Sequence, residues 1–374
     1  MNYIAPIWLP GGHAQTLYAA LGAPRPRVTY RRERWDTPDG DFIDLDWAVK
    51  PAPPSLRSDL TDWGEGIQHT PRNESPIPGI REPATAPLVV LFHGLEGSSR
   101  SHYALALMHA VRARGWRGVV VHFRGCSGEM NRLPRAYHSG DSTEIDWILR
   151  RLKRLCPHAP LHAVGVSLGG NALLKWLGET GASARELVDR ATAVSAPVNL
   201  MAAGNALDHG LNLVYARHFL VTMKKKALAK LSHHPGLYNA ARLRAACTLR
   251  EFDNVVTAPL HGYLDTDDYW TRASSKPLLR DITVPTLLVN ACNDPFLPCG
   301  ALPAPHEVSP QVLLEQPENG GHVGFMSGPF PGNLGWLPQR ILEFFDARDK
   351  TTNTTRSGEL GQVRQAASDF IDLH

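Results

Sequence analysis

The stretch L-H-A-V-G-V-S-L-G-G-N, residues 161–171, decides how the chain folds. The apolar run before Ser167 predicts a buried strand, and residues 170–177 predict a helix. A G-x-S-x-G motif between strand and helix is typical of a sharp turn that holds the serine hydroxyl clear of the sheet. Glycines at its first and last positions let the strand and the helix approach closely. Ser167 is therefore a candidate nucleophile at the positive end of a helix.

An ordinary glycine-rich turn has the same local sequence, so the rest of the chain must distinguish the two interpretations. Buried strands are predicted at 88–92, 118–123, 161–166, 192–198, 286–290 and 312–315, with helices at 101–114, 141–155 and 336–348. Such alternation is typical of βαβ units in a parallel sheet. The β-rich runs 27–35 and 41–49, joined by Asp39-Gly40, predict a hairpin before it. We therefore predict an α/β fold with a mostly parallel central sheet flanked by helices and an N-terminal hairpin.

Three segments depart from this alternation. Residues 50–86 hold many prolines and isolated charges and predict a loop insertion. Residues 199–280 predict helices without a clear strand, and we expect them to form a helical cap over the sheet edge that binds ligands. Residues 349–374 are polar and predict a frayed tail. We thus expect one α/β domain over residues 1–348, with a Pro/Gly-rich arm at 1–26 packed over it.

The composition excludes several classes of function. A formal net charge of +3, without a basic tract interleaved with aromatics, argues against a nucleic-acid partner. Five scattered cysteines without a C-x-x-C pair argue against a disulfide framework or a zinc site, and for a reducing compartment. The N-terminus lacks the features of a signal peptide, and no apolar run is long enough to span a membrane. We therefore expect a soluble cytoplasmic protein without a bound metal.

Two further side chains follow predicted strands. Asp294 comes just after the strand at 286–290, and His322 follows the last strand in a glycine-rich loop. Because the carboxyl ends of parallel strands lie at one sheet edge, both should emerge beside Ser167. A serine hydroxyl needs a base, an imidazole can take and return its proton, and a carboxylate can orient that imidazole. Asp281 is a weaker candidate acid, because it precedes its strand and would lie at the opposite edge.

The same chemistry needs hydrogen-bond donors for a developing oxyanion. We expect the backbone N–H groups of Leu168, after the serine, and of Leu95, in the turn after the first parallel strand. His93 precedes that turn and is expected to be structural. Ser127 also follows a strand, but the glycine spacing around it does not fit a nucleophile turn.

Other polar side chains near these turns have simpler structural interpretations. Cys292 and Cys299 flank the candidate acid and are expected to be buried thiols. His138 lies near Asp141, where a loop contact is favoured over a supporting role in catalysis. The three lysines at 224–226 are expected on a solvated helix face, with weak contact to an anionic membrane as the alternative.

Together these motifs resemble the α/β-hydrolase superfamily and, within it, the YheT-like branch of hydrolases. The resemblance runs from about residue 7 to residue 345. It is carried by W-L-P-G-G-H-A-Q-T (8–16), P-D-G-D (38–41), H-G-L-E-G (93–97), R-G-C-S-G-E (124–129), Y-H-S-G (137–140), G-V-S-L-G-G-N (165–171), F-D (252–253), N-D-P-F (293–296) and G-H-V-G (321–324). The segments 50–86 and 349–374 depart from the family pattern, as does Asn293, where a second Asp is common. That last departure costs nothing if Asp294 is the acid.

The resemblance implies an α/β-hydrolase fold, a charge relay of Ser167, Asp294 and His322, and no cofactor. We predict a serine carboxylesterase, similar to acylglycerol lipases, that cleaves small-molecule or lipid esters through an acyl-enzyme. Transfer of the acyl group to an alcohol or thiol is an alternative, because the same three residues serve both reactions. A non-catalytic binding protein on a hydrolase scaffold is a second alternative, which the intact set of residues disfavours.

Overall fold

The computed structural model describes residues 2–49 and 83–347. The predicted tail at 349–374 lies outside the described residues, and so does the predicted insertion at 50–86 apart from residues 83–86.

Eight strands form a single sheet. They are β1 (Thr29–Asp36), β2 (Phe42–Val49), β3 (Leu88–Phe92), β4 (Arg117–His122), β5 (Leu161–Val166), β6 (Arg190–Val194), β7 (Thr286–Val289) and β8 (Val312–Glu315). Their spatial order is β1-β2-β4-β3-β5-β6-β7-β8. β2 pairs antiparallel with β1 and β4, and every other neighbouring pair is parallel. The predicted hairpin and mostly parallel sheet are confirmed.

The helices cover both faces of this sheet and one of its edges. They are α1 (Gly12–Leu21), α2 (His102–Ala113), α3 (Ser142–Leu155), α4 (Leu168–Thr180), α5 (Leu200–Leu207), α6 (Leu213–His233), α7 (Ala240–Ala245), α8 (Leu249–Phe252), α9 (Ala258–Leu260), α10 (Thr266–Ala273) and α11 (Trp336–Asp346). Helices α5 to α10 come between β6 and β7, within the segment predicted as a cap. Helix α1 lies in the N-terminal arm, where the prolines and glycines around it concealed a helix from the sequence analysis.

Every residue of β3, β4 and β5 is buried. The unbroken apolar sequence of β3 predicts this burial, whereas β4 and β5 also bury Arg117, His122 and His162. One apolar core lies between the sheet and α3 and α4, around Trp176. A second core lies on the other face, where α2 and α11 pack through residues such as Met108 and Phe345. Burying one such large side chain stabilises the fold by about 2 kcal/mol. The sheet is therefore held rigidly from both sides, and it can position the loops at its edge.

Helices α5 to α10 have a core of their own, in which Trp270 lies against Gly204. A Cβ on Gly204 would meet the Trp270 ring at 2.3 Å, so only glycine fits there. Asn171 joins this region to α4, because its amide donates to the carbonyls of Ser139 (2.9 Å) and Ala273 (2.8 Å). The end of α10 is therefore attached one turn after Ser167.

Buried histidines make the fold sensitive to acid. Burial lowers the pKa of His162 to about 4, and the ring stacks on Phe345 with centroids 4.5 Å apart. In the unfolded chain His162 takes up a proton near pH 6.5, whereas in the folded chain it stays neutral down to about pH 4. The free energy of unfolding therefore has its full value above pH 6.5 and falls as the pH is lowered toward 4.

We expect His162→Phe, which keeps the ring stacking, to remove up to about 3 kcal/mol of the acid-induced loss in unfolding free energy. Urea unfolding at pH 7 and pH 4.5 measures this, and His158→Phe at an exposed position is the control. Equal pH dependence in both variants would contradict the expectation.

Candidate active site

Ser167 stands at the sharp turn that its motif predicts. It precedes α4 with φ 53° and ψ −121°, a left-handed conformation that is rare for a residue with a side chain. Its N–H donates to the carbonyl of Val194 on the neighbouring strand (2.8 Å). A Cβ on Gly165 would meet the Gly169 carbonyl at 2.4 Å, and one on Gly169 would meet the Phe92 carbonyl at 2.5 Å. The two motif glycines are therefore required for the close approach of strand and helix.

The structure brings Ser167, His322 and Asp294 together in one chain of hydrogen bonds. The Oγ of Ser167 lies 3.0 Å from Nε2 of His322, and Nδ1 of His322 lies 2.9 Å from Oδ2 of Asp294. The Asp294 side chain is completely buried, and its other oxygen accepts from the N–H of Phe296 (2.8 Å). With Nδ1 donating to the carboxylate, Nε2 is left to accept the serine proton. This arrangement can deprotonate the serine hydroxyl and return the proton to a leaving group.

The turn after β3 lies directly beside the serine. A Cβ on Gly94 would lie 3.0 Å from Cβ of Ser167. Two partly buried tyrosines hold this turn, since the Tyr103 hydroxyl accepts from the N–H of Gly94 (2.9 Å) and the Tyr137 hydroxyl accepts from the N–H of Glu96 (2.9 Å). Sequence analysis missed both tyrosines, because only the folded chain places them against the turn.

The N–H of Leu95, in the middle of that turn, makes no hydrogen bond within the described part of the chain. Its neighbours do: Gly94 and Glu96 bond to the tyrosines, and Gly97 donates to the carbonyl of Gly94 (2.9 Å). Leu168 opens α4, where an N–H has no acceptor inside the helix. Both predicted oxyanion donors thus lie on turns that adjoin Ser167, and both remain available to a ligand.

His93 also holds the turn that follows β3. Its Nδ1–H donates to the carbonyl of Gly94 (2.7 Å), and its Nε2 accepts from the N–H of Phe123 (3.1 Å). Burial is the main reason that its pKa falls to about 3, so the ring stays neutral. The ring has no nitrogen left for a substrate, in keeping with the structural role expected for it.

Helix α1 contacts both loops that carry the candidate acid and base, which the sequence analysis did not foresee. The hydroxyl of Thr16 accepts from the backbone N–H of His322 (2.8 Å). The amide oxygen of Gln15 accepts from the N–H of Gly320 (2.8 Å) and from the side chain of Asn293 (3.0 Å). The sequence does contain one indication of this contact, because the polar pair Gln15-Thr16 lies inside the apolar patch of the arm. The arm therefore helps to fix the geometry of the site.

Helix α6 bounds the site on another side. The ring of Phe296 stacks on the imidazole of His322 with centroids 4.0 Å apart, and Tyr215 and Phe219 of α6 contact Phe296 edge-on. Of the three lysines expected on a solvated face, Lys225 is exposed and Lys224 is partly exposed. Lys226 keeps 41% of its side chain exposed and also forms an ion pair, with its ammonium 2.9 Å from the Glu96 carboxylate.

The other polar candidates, Ser127 and His138, have structural roles. The Ser127 side chain lies beside the Asp44 carboxylate, and no imidazole bonds to it within the described residues. The His138 ring accepts from the N–H of Gly140 (3.2 Å) and packs against His261. Asp141 meets His138 only through the backbone, where its N–H donates to the His138 carbonyl (3.3 Å).

The two cysteines near the acid loop differ from expectation. Cys299 is exposed and Cys292 is only partly buried. The loop that follows Asp294 turns outward after the buried Leu297, which leaves Cys299 at the surface.

Neither a metal cluster nor a membrane span is found over residues 2–49 and 83–347. In those ranges, no three His, Cys, Asp or Glu side chains are close enough to hold a metal ion. No helix there has the length and apolar character to cross a membrane.

Comparison with known proteins gives several matches. The family model of the alpha/beta hydrolase fold matches residues 87–329, a range that includes Ser167, Asp294 and His322. Putative esterase YheT of Escherichia coli is 41% identical over 334 residues, which cover 89% of each chain. Phospholipase ABHD3 of Homo sapiens is 30% identical over 348 residues, which cover 92% of this chain and 79% of that protein. Monoacylglycerol lipase of Saccharomyces cerevisiae is 28% identical over 257 residues, which cover 66% of this chain and 57% of that protein.

Proposed function

This chain belongs to the α/β-hydrolase family, in its YheT-like branch, and we propose that it is a serine carboxylesterase acting on esters of acyl chains. The observation that carries the proposal is the unbroken hydrogen-bond chain from the Ser167 hydroxyl through His322 to the buried carboxylate of Asp294. The names of its relatives, an esterase, a phospholipase and a lipase, support ester hydrolysis as the reaction class.

In the proposed reaction, Ser167 attacks the ester carbonyl while His322 takes its proton at Nε2. Asp294 holds the ring in the required tautomer and stabilises the imidazolium. The N–H groups of Leu95 and Leu168 receive the oxyanion, each stabilising the transition state by about 3–4 kcal/mol. His322 then protonates the departing alcohol, and a water activated by the same ring releases the acid from the acyl-enzyme.

The surroundings of the site favour an apolar acyl group. Phe296, Tyr215 and Phe219 place aromatic rings next to His322, and the cap helices over this edge have an apolar core. A small-molecule or lipid ester fits these walls better than a charged substrate does. The five cysteines are all free thiols, which supports the proposed cytoplasmic location.

Kinetics on nitrophenyl esters of increasing acyl length test the proposal. A burst of nitrophenol equal to the enzyme concentration would indicate an acyl-enzyme. Product analysis with added ethanol separates hydrolysis from transfer, since an ethyl ester forms only if alcohol competes with water. A folded protein that turns over no ester in the panel would instead favour a binding protein on this scaffold.

Thr16→Val should slow the reaction without touching a reacting group. The change removes the acceptor for the His322 N–H, and an unpaired buried N–H costs about 1–3 kcal/mol. A loop displaced by a fraction of an ångström lowers kcat, so we expect kcat to fall about tenfold to a hundredfold with KM little changed. Thr16→Ser keeps the hydroxyl and should restore kcat. Wild-type kcat in Thr16→Val would mean that His322 is held without α1.

A further inference from the structure

Large apolar side chains are exposed mainly in one part of the described chain. Ten are exposed, and eight of them belong to the N-terminal arm, to the first half of α6 and its preceding turn, or to Phe330, which contacts Trp8 of the arm. These eight are Ile4, Ile7, Leu17, Leu21, Leu211, Val214, Val221 and Phe330. Single exposed apolar residues are normal in soluble proteins, so it is the clustering that calls for an explanation.

The cluster lies beside the site described above. Helix α1 holds the backbone of His322 through Thr16, and α6 contacts Phe296 next to the same imidazole. The two helices meet where the ring of His13 stacks on Tyr215, with centroids 5.8 Å apart and planes within 4°. His13 begins the exposed side of α1, which continues through Leu17 and Leu21. The exposed side of α1 with Leu17 and Leu21, together with the exposed side of α6 with Val214 and Val221, is called the α1–α6 face below.

The charge on this part of the chain is of one sign. Residues 2–32 and 209–250 contain no Asp or Glu, although the chain has 36 acidic residues. Segment 209–250 holds eight Lys and Arg, and Arg217 and Lys225 are exposed on the same side of α6 as Val214 and Val221. Within the described residues, neither Arg217 nor Lys225 pairs with a carboxylate. Unpaired basic groups therefore stand among exposed apolar ones.

We propose that the α1–α6 face binds an anionic lipid surface. Apolar side chains of such a face enter the boundary between headgroups and acyl chains, while basic side chains interact with anionic headgroups. A second copy of the chain fits less well, because a two-fold contact would bring Arg217 and Lys225 close to the same charges on the other copy. The docking goes beyond the proposed esterase activity and does not depend on it.

Sedimentation with vesicles tests the docking. We expect the full chain to bind phosphatidylcholine vesicles that contain about a third phosphatidylglycerol, and to bind pure phosphatidylcholine far less. Each basic residue near the surface contributes about fivefold in affinity, so Arg217→Gln with Lys225→Gln should weaken binding about 25-fold. Val214→Asp with Val221→Asp should remove it. High salt should weaken binding of the wild type, because the headgroup attraction is screened.

The control is Leu264→Asp. Leu264 is exposed like Val214 and Val221 (92% against 64% and 70%), but it lies beside the acidic residues Asp265, Asp267 and Asp268. The Leu264→Asp variant should bind vesicles as the wild type does. Vesicle binding that is unchanged by the Val214 and Val221 substitutions, or equally reduced by Leu264→Asp, would overturn the proposal. So would a dimer in light scattering that these face substitutions dissociate.

The design separates docking from chemistry. Ser167→Ala should bind vesicles like the wild type, and the face variants should hydrolyse a soluble ester at the wild-type rate. A wild type that binds vesicles but hydrolyses no ester would therefore refute the proposed function alone, and a wild type that hydrolyses esters but does not bind vesicles would refute the docking alone.

Discussion

Ser167→Ala is expected to lower kcat/KM for ester hydrolysis by about 10⁴-fold or more, with no loss of folding. In the proposed reaction the serine oxygen forms the acyl-enzyme, and over residues 2–49 and 83–347 no other hydroxyl bonds to the imidazole of His322. The residual rate would come from the oxyanion donors and substrate binding, which remain in the variant. Folding should be kept because the backbone N–H of residue 167, which bonds to the Val194 carbonyl and holds the left-handed turn, remains in the alanine variant.

Labelling with a fluorophosphonate gives a second readout of the same substitution. The wild type should be labelled and Ser167→Ala should not, whereas the control Ser127→Ala should be labelled like the wild type. Ser127 is the appropriate control because it also follows a strand in a glycine-rich turn. Persistent labelling of Ser167→Ala would mean that the nucleophile is elsewhere.

Asp294→Asn is expected to lower kcat by about 10⁴-fold near neutral pH while KM changes little. The amide keeps nearly the same shape, and its oxygen can still accept from the N–H of Phe296. Its NH₂ group, however, can only donate toward Nδ1 of His322. That bond favours the tautomer with the proton on Nε2, where it blocks acceptance of the serine proton.

The matched control for this substitution is Asp281→Asn. Asp281 precedes β7, at the opposite end of the strand from Asp294, and should leave kcat unchanged. Circular dichroism at the same pH checks that both variants are folded. An Asp294→Asn enzyme with a kcat within about tenfold of the wild type would remove Asp294 from the proposed relay.

These two effects should exceed that of Thr16→Val by about a hundredfold. In the proposed reaction Ser167 and Asp294 belong to the group that moves the proton, whereas Thr16 acts only through the backbone position of His322. The order of the three effects is thus a further check on which residues touch the reacting atoms.

The sequence by itself determined the sheet and the three side chains at its edge. Apolar runs of five or six residues predict buried strands, and alternation with helices makes those strands parallel. Once the strands are parallel, residues that follow their carboxyl ends must meet, however far apart they lie in the chain. That rule brought Ser167, Asp294 and His322 together without knowledge of any distance. It also placed Leu95 and Leu168 on adjoining turns.

Only the tertiary structure decided how those side chains are held. Thr16 binds the backbone of a residue 306 positions away, and Lys226 pairs with Glu96 across 130 positions. Phe296 stacks on His322 because the acid loop turns back over the imidazole. No periodicity encodes such contacts, since each depends on the angle at which a helix crosses the sheet edge and on the length of the loops between them. Local patterns specify elements and their direction, and the packing of whole elements specifies which distant polar groups become partners.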